Sequence, residues 1–151
     1  MSLRALIEGW LPLLVAAAVA AGGWRLVGPW GAVPGLLLVV AVVGFFRDPP
    51  RRPPDDPDAI VAPADGRVVE VEPEADLPAI GGRGRRISIF LSVLDVHVNR
   101  APAAGTIRSS AHSPGTFFDA RRAEAAARNE RREWVFDSER GTFAVMQIAG
   151  L

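Results

Sequence analysis

Cysteine and lysine are both absent from this chain of 151 residues. Without cysteine the chain can form no disulfide, no thiolate nucleophile and no thiolate zinc site. All 17 basic residues are arginine, so no lysine can form a Schiff base or hold pyridoxal phosphate. Only two histidines occur, His97 and His112. We therefore expect no metal site. We also expect no nucleic acid as a partner.

Two long apolar stretches occupy the N-terminal third of the chain. The first covers residues 11–22, and Glu8 lies shortly before its start. The second covers residues 26–46 and contains no charged residue. As one helix of 21 residues it would be roughly 31 Å long, which is about the hydrocarbon thickness of a bilayer. The pattern therefore predicts that the second stretch is the stronger membrane span.

The short distance between the two stretches favours a helical hairpin in a membrane. Trp24 and Trp30 flank the turn, as aromatic residues often do at a membrane interface, and three arginines follow the second stretch. The positive-inside rule then places the following domain on the cytoplasmic side of the cell membrane. Two alternatives stay open: the first stretch is a signal peptide, or the hairpin is the buried core of a soluble protein. The prolines of both stretches favour the membrane, which tolerates them better.

The rest of the chain predicts a proline-rich linker followed by a β-rich domain. We divide the chain into an anchor (1–46), a linker (47–58) with five prolines between Asp48 and Asp58, and an incomplete β-rich domain (59–151). Residues 60–62 and 68–71 predict a hairpin around Asp65-Gly66, and residues 73–85 an exposed loop. Residues 87–93 and 142–148 predict strands, the second central in its sheet, and residues 119–128 a helix that begins at Asp119. The predicted fold class is mainly β (β-rich α+β), with an N-terminal membrane helical hairpin.

Two side chains, Asp65 and His97, are candidates for chemistry. Asp65 lies in an Asp-Gly pair, a common turn whose carboxylate usually has no further role. His97 follows the strand predicted at 87–93, and histidine transfers protons most readily near neutral pH. An imidazole held by hydrogen bonds for structure alone is the alternative. His112 precedes Ser113-Pro114-Gly115 and is interpreted as a residue that flanks a turn.

A series of short motifs, in order along the chain, resembles the short, membrane-associated branch of the phosphatidylserine decarboxylase family. Each motif is weak alone, but six in the same order are specific. The motifs are Phe46-Arg47-Asp48-Pro49, Pro63-Ala64-Asp65-Gly66, Ile89-Phe90-Leu91-Ser92 with Asp95-Val96-His97-Val98-Asn99-Arg100-Ala101-Pro102, Pro114-Gly115, Asn129-Glu130-Arg131 and Gln147-Ile148-Ala149-Gly150.

The resemblance implies a proenzyme that cleaves itself at a Gly-Ser bond and converts the serine into a pyruvoyl cofactor. That group then serves as the electron sink when phosphatidylserine becomes phosphatidylethanolamine and CO₂, which agrees with the absence of lysine. By motif position Asp65 is the aspartate that orients and charges the base for self-cleavage, and His97 is the histidine tied to decarboxylation. The second family histidine falls on Arg100, which cannot act as a base. Either His97 serves both steps or another group replaces the second histidine.

No Gly-Ser pair occurs in these 151 residues, so we interpret the chain as a fragment of such a proenzyme. The expected partners are a membrane phospholipid and the C-terminal, pyruvoyl-bearing chain of the same proenzyme. The rival hypothesis is a catalytically silent, membrane-tethered β domain that binds lipid or a partner chain.

Overall fold

The computed structural model describes residues 3–56, 58–122 and 124–150, which form two compact units. The first unit combines the helices within Met1–Arg52 with two later segments, Ala64–Gly66 and Leu91–Arg100. The second unit combines Pro53–Pro63, Arg67–Phe90 and the described part of Ala101–Leu151. The division into anchor, linker and domain stays a prediction, because each unit is assembled from separate parts of the chain.

The first unit is built on a helical hairpin. Helix α1 spans Leu3–Val27, a 3₁₀ turn spans Pro29–Ala32, and helix α2 spans Val33–Phe45. Gly28 makes the turn with a φ of 74°, a conformation that glycine adopts without steric cost. Pro29 then begins the 3₁₀ turn. At this first position a backbone N–H would have no intrahelical partner, so proline costs no hydrogen bond. The predicted helical hairpin is therefore confirmed.

Small residues let the two helices approach each other closely. A Cβ atom placed on Gly35 would collide with the backbone of Ala20, and one placed on Gly23 would collide with the carbonyl of Gly31. Glycine and alanine at such crossings allow two backbones to pack against each other, a common feature of helices in membranes. The hairpin therefore depends on these positions for its packing.

The prediction of a single helix over residues 26–46 is wrong. Gly28 and Pro29 break this stretch, and α2 begins only at Val33. In α1, Gly9–Val27 has the length and apolar composition needed to cross a membrane, whereas the apolar helical segment Pro29–Phe45 is shorter. A signal sequence passes the same test of length and composition. The helix of membrane-spanning length among the described residues is therefore α1, and the prediction that the second stretch is the stronger span is wrong.

The second unit consists of two antiparallel sheets, which confirms the β-rich fold class. One sheet pairs β1 with β2, and the other has the order β3-β4-β5. A short helix, α3 (Ala125–Arg128), precedes β4. The strands are β1 Arg67–Leu77, β2 Gly82–Phe90, β3 Thr106–Ser113, β4 Arg131–Ser138 and β5 Gly141–Ile148. Val135 of the central strand β4, Ala75 of β1 and Ala125 of α3 are buried apolar residues of this unit.

Two predictions about the first sheet are wrong. Residues 60–62 form no strand, and the backbone N–H of Val61 donates to the carbonyl of Pro102 (2.9 Å) instead of to β1. Residues 73–85 are not an open loop, because β1 continues to Leu77 and β2 begins at Gly82. Pro73 is tolerated inside β1 because the register shifts between Glu72 and Ala75, and a bulge needs no N–H from proline.

The remaining elements agree with the sequence in part. The strand at 142–148 is confirmed as β5, but β5 lies at the edge of the described sheet, and β4 is the central strand. The helix is confirmed only from Ala125 to Arg128, and Ala123 lies outside the described residues. Asp119 does not cap this helix, because its carboxylate binds Arg121 close by in a turn. Local hydrogen bonds of this kind compete with helix formation.

Candidate active site

His97 lies in the segment Leu91–Arg100, which follows β2 and belongs to the first unit. A tight turn shapes this segment. Asp95 Oδ2 accepts hydrogen bonds from the Ser92 backbone N–H (2.7 Å) and from Ser92 Oγ (2.8 Å), and the Asp95 N–H donates to the Ser92 carbonyl (2.9 Å). The Ser92 bonds hold the pKa of the Asp95 carboxyl below its usual value of 3.8. At neutral pH Asp95 is therefore ionised and closes the turn.

The imidazole of His97 is oriented by the same turn. His97 Nδ1 lies 3.0 Å from the carbonyl oxygen of Asp95. A carbonyl oxygen only accepts hydrogen bonds, so Nδ1 carries the proton and Nε2 has the free lone pair of the neutral ring. Among the described residues, Nε2 has no hydrogen-bond partner. The ring is half-buried, and its Nε2 is therefore available to take or give a proton.

Asp65 lies in the bend Ala64–Gly66 of the same unit, immediately before β1. Its Oδ2 forms an ion pair with Arg51, and about a third of its side chain is exposed (34%). In the described part of the chain, no hydrogen bond or ion pair joins Asp65 to His97. The structure thus places both predicted residues in one compact unit but gives each its own partners.

Arg100, which the resemblance aligned with the second family histidine, has a structural contact. Its Nη2 donates to a carboxylate oxygen of Asp48 and to the carbonyl of Pro49 (3.0 Å). The guanidinium cannot be deprotonated in a protein, so it acts as a donor and a charge only. Arg100 therefore ties the His97 segment to the residues that follow α2.

The other histidine, His112, lies within β3. Its interpretation as a residue that flanks a turn is therefore wrong. Its Nε2 is 3.1 Å from Glu130 Oε1, and both residues belong to the second unit. Within the described residues, no group of three histidine, aspartate or glutamate side chains is arranged to hold a metal ion.

The geometry also shows two residues that the sequence reasoning did not assign to the site, Phe45 and Arg47. The ring of Phe45 is stacked on the imidazole of His97, with the ring centroids 3.8 Å apart and the planes 20° from parallel. Arg47 donates to the carbonyl of Leu94, inside the His97 segment (2.7 Å). The motif Phe46-Arg47-Asp48-Pro49 pointed to this region of the chain, but the motif alone does not reveal a contact with His97.

Comparison with known proteins decides the family. Residues 39–151 match the family model described as phosphatidylserine decarboxylase, and this range includes every residue of the site described above. The chain belongs to the phosphatidylserine decarboxylase family. The match confirms the resemblance that the motifs indicated.

Several curated relatives bear the name phosphatidylserine decarboxylase proenzyme. The relative from Nitratidesulfovibrio vulgaris is 44% identical over 143 residues, which cover 93% of this chain and 65% of the relative. The relative from Trichlorobacter lovleyi is 48% identical over 117 residues, covering 77% of this chain and 52% of the relative. The relative from Rhodospirillum rubrum is 44% identical over 149 residues, which cover 95% of this chain and 63% of the relative. The chain thus spans between about half and two thirds of the length of these decarboxylase relatives.

Proposed function

We propose that the protein decarboxylates phosphatidylserine to phosphatidylethanolamine and CO₂ by means of a pyruvoyl group made from one of its own serines. The observation that carries the proposal is the family match over residues 39–151, which includes an imidazole oriented for proton transfer. The name proenzyme on the relatives supports a step of self-cleavage. The serine that becomes the pyruvoyl group would lie outside these 151 residues, on the chain that we expect as the partner.

The side chains present fit a carbonyl cofactor. The chain contains neither lysine nor cysteine, so no side-chain amine or thiol of its own can condense with a carbonyl group held at the site. When present, a pyruvoyl group supplies a carbonyl that accepts the electron pair released as the substrate carboxylate leaves. The ring of Phe45 is stacked on one face of the His97 imidazole and covers that face with an apolar surface.

We assign His97 the proton transfer and Asp65 the support of self-cleavage. With Nδ1 donating to the Asp95 carbonyl, His97 presents Nε2 as the atom that holds or releases the proton. About a third of the Asp65 side chain is exposed, and its carboxylate is paired with Arg51, which holds the negative charge in place. Because Arg100 is engaged by Asp48 and cannot act as a base, His97 is the histidine of this segment that can serve in either step.

The membrane is the proposed location of both the enzyme and its substrate. The apolar hairpin α1–α2 supplies the anchor, and Arg47, Arg51 and Arg52 follow it on the side that the positive-inside rule assigns to the cytoplasm. A phospholipid substrate is then delivered from the same membrane. The proposed partners are this phospholipid and the pyruvoyl-bearing chain of the same proenzyme.

Two variants of the full-length protein test the proposal, His97→Ala and Asp65→Asn, with His112→Ala as the matched control. Each protein is purified in phospholipid nanodiscs. Self-cleavage is scored as one chain or two on a denaturing gel, and phosphatidylethanolamine is measured by mass spectrometry. We expect Asp65→Asn to remain uncleaved and His97→Ala to form no phosphatidylethanolamine, while His112→Ala behaves as the parent protein. A parent protein that binds phosphatidylserine vesicles but is neither cleaved nor active would support the rival, a silent lipid-binding domain.

A further inference from the structure

The last residues of the apolar helix α2 make several contacts with the segment that carries His97. Phe45, the final residue of α2, contacts His97 twice. Its ring is stacked on the imidazole at 3.8 Å between centroids, and its carbonyl accepts the backbone N–H of His97 (3.4 Å). One residue of the helix thus restrains both the ring and the backbone of the proposed base.

Arg47 forms a second link between the helix and the His97 segment. Its Nη1 donates to the carbonyl of Gly44 (2.6 Å), and its Nη2 donates to the carbonyl of Leu94 (2.7 Å). The carbonyls in the last turn of a helix have no intrahelical partner, so the Gly44 bond satisfies one of them. The guanidinium is a planar, rigid group, and it therefore fixes the distance between the end of α2 and Leu94.

The orientation of the imidazole depends on two groups that act in different directions. The Asp95 carbonyl fixes the edge of the ring through Nδ1, and the Phe45 ring supports its face. With only one of these two contacts, the ring would remain free to tilt. A catalytic group must be held within a fraction of an ångström of its productive position, and neighbouring side chains usually provide that restraint.

We infer that Phe45 and Arg47 are positioning residues for His97, so that the end of the apolar helix α2 is part of the active site and not only a membrane tether. The inference rests on the proposed role of His97. It follows that substitution of Phe45 lowers the rate of the chemical step more than it weakens substrate binding. Because positioning needs an aromatic face, another aromatic side chain at residue 45 should restore what an aliphatic one removes.

Nuclear magnetic resonance reports the stacking directly and without reference to activity. Residues 1–151 contribute two imidazole signals, His97 and His112, to the spectrum of the full-length protein labelled at histidine and held in phospholipid nanodiscs. A ring stacked on Phe45 experiences its ring current, so the His97 Cε1 proton should resonate upfield of its His112 counterpart. We expect Phe45→Leu to remove the upfield shift and Phe45→Trp to keep one. The matched control, Phe46→Leu, should leave the shift in place.

Turnover of phosphatidylserine by the same proteins completes the test. For Phe45→Leu we expect kcat to fall roughly 10- to 100-fold with little change in KM, since small misplacements of a catalytic group have effects of this size. Phe45→Trp should recover most of the loss, and Arg47→Gln should lower kcat where Arg52→Gln does not. If His97→Ala is inactive but Phe45→Leu keeps the parental kcat, the positioning inference is wrong and the proposed function stands. If His97→Ala keeps the parental kcat, the proposed role of His97 fails, and the inference fails with it.

Discussion

Asn129, from the motif Asn129-Glu130-Arg131, is predicted to stabilise the fold of the second unit and to have no part in the chemistry. Its side chain is 1% exposed and forms four hydrogen bonds. Nδ2 donates to the carbonyls of Phe118 and Ala149 (2.7 Å each), while Oδ1 accepts from the Phe118 N–H (2.9 Å) and from Thr116 Oγ1 (3.2 Å). This one side chain therefore joins three separate segments of the chain.

The substitution Asn129→Ala leaves three backbone groups without a partner, two carbonyls and one N–H. At about 1 kcal/mol for each backbone group left without a partner, the local free energy of opening should fall by roughly 3 kcal/mol. That loss corresponds to roughly 100-fold faster amide exchange, because every 1.4 kcal/mol is about tenfold. Asn129→Asp should accelerate amide exchange at least as much as Asn129→Ala. In this variant a carboxylate oxygen replaces the Nδ2 donor that faces two carbonyl oxygens.

Hydrogen–deuterium exchange of the full-length protein, followed by mass spectrometry, measures this effect at the Phe118 amide. The matched control is Thr116→Val, which removes one hydroxyl donor and should accelerate exchange only about fivefold, as expected for the loss of roughly 1 kcal/mol. If Phe118 exchanges in Asn129→Ala within threefold of the parental rate, the hydrogen bonds of Asn129 do not stabilise this region, and the reasoning is refuted.

Two further predictions concern the hairpin and one surface turn. Gly35→Val should push α1 and α2 apart, because a Cβ at Gly35 meets the backbone of α1, and spin labels on the two helices should report a longer distance. The control is Gly44→Val, where the Cβ has open space. Equal distances in the two variants would contradict the prediction. The hydrogen bonds from Arg121 lower the pKa of Asp119 from 3.8 to about 2, so the stability contributed by this turn is complete above pH 3.8 and is lost as the pH falls towards 2. A carboxylate titration by nuclear magnetic resonance should show the Asp119 pKa rising in Arg121→Ala and almost unchanged in Arg122→Ala; an unmoved value in Arg121→Ala would refute the assignment.

The sequence predicted the helical hairpin correctly but misjudged its second helix. Hydropathy counts apolar residues and takes no account of backbone conformation, so residues 26–46 appeared as one span. The positive φ of Gly28 and the ring of Pro29 interrupt that span whatever its hydropathy. Reading the Gly28-Pro29 pair as a turn signal would have corrected the boundary.

The pairing of β1 with β2 was missed for a similar reason. Pro73 and the glycines that follow it indicated a loop, although a bulge accommodates Pro73 and Gly81 forms part of the turn between the strands. The φ of 75° at Gly81 is a conformation that such a turn requires and that glycine readily supplies. Composition therefore identified the turn but overestimated its length.

For the candidate site, the motifs named candidate residues but not their contacts. Asp65 and His97 were identified from short motifs, and the family match includes both. The partner of each, Arg51 for Asp65 and Phe45 for His97, is set by tertiary packing of distant parts of the chain. A single sequence carries no local signal for such a contact, because the spacing between the partners follows no helical or strand period.

The measurement that tests the central claim most directly is the intact mass of the full-length protein purified from membranes, before and after treatment with borohydride and phosphatidylserine. We predict two chains, of which the smaller carries a carbonyl at its N-terminus that borohydride reduces, and we predict that this reduction abolishes formation of phosphatidylethanolamine. A single uncleaved chain, unchanged in mass by borohydride, would contradict the account of a self-processing decarboxylase.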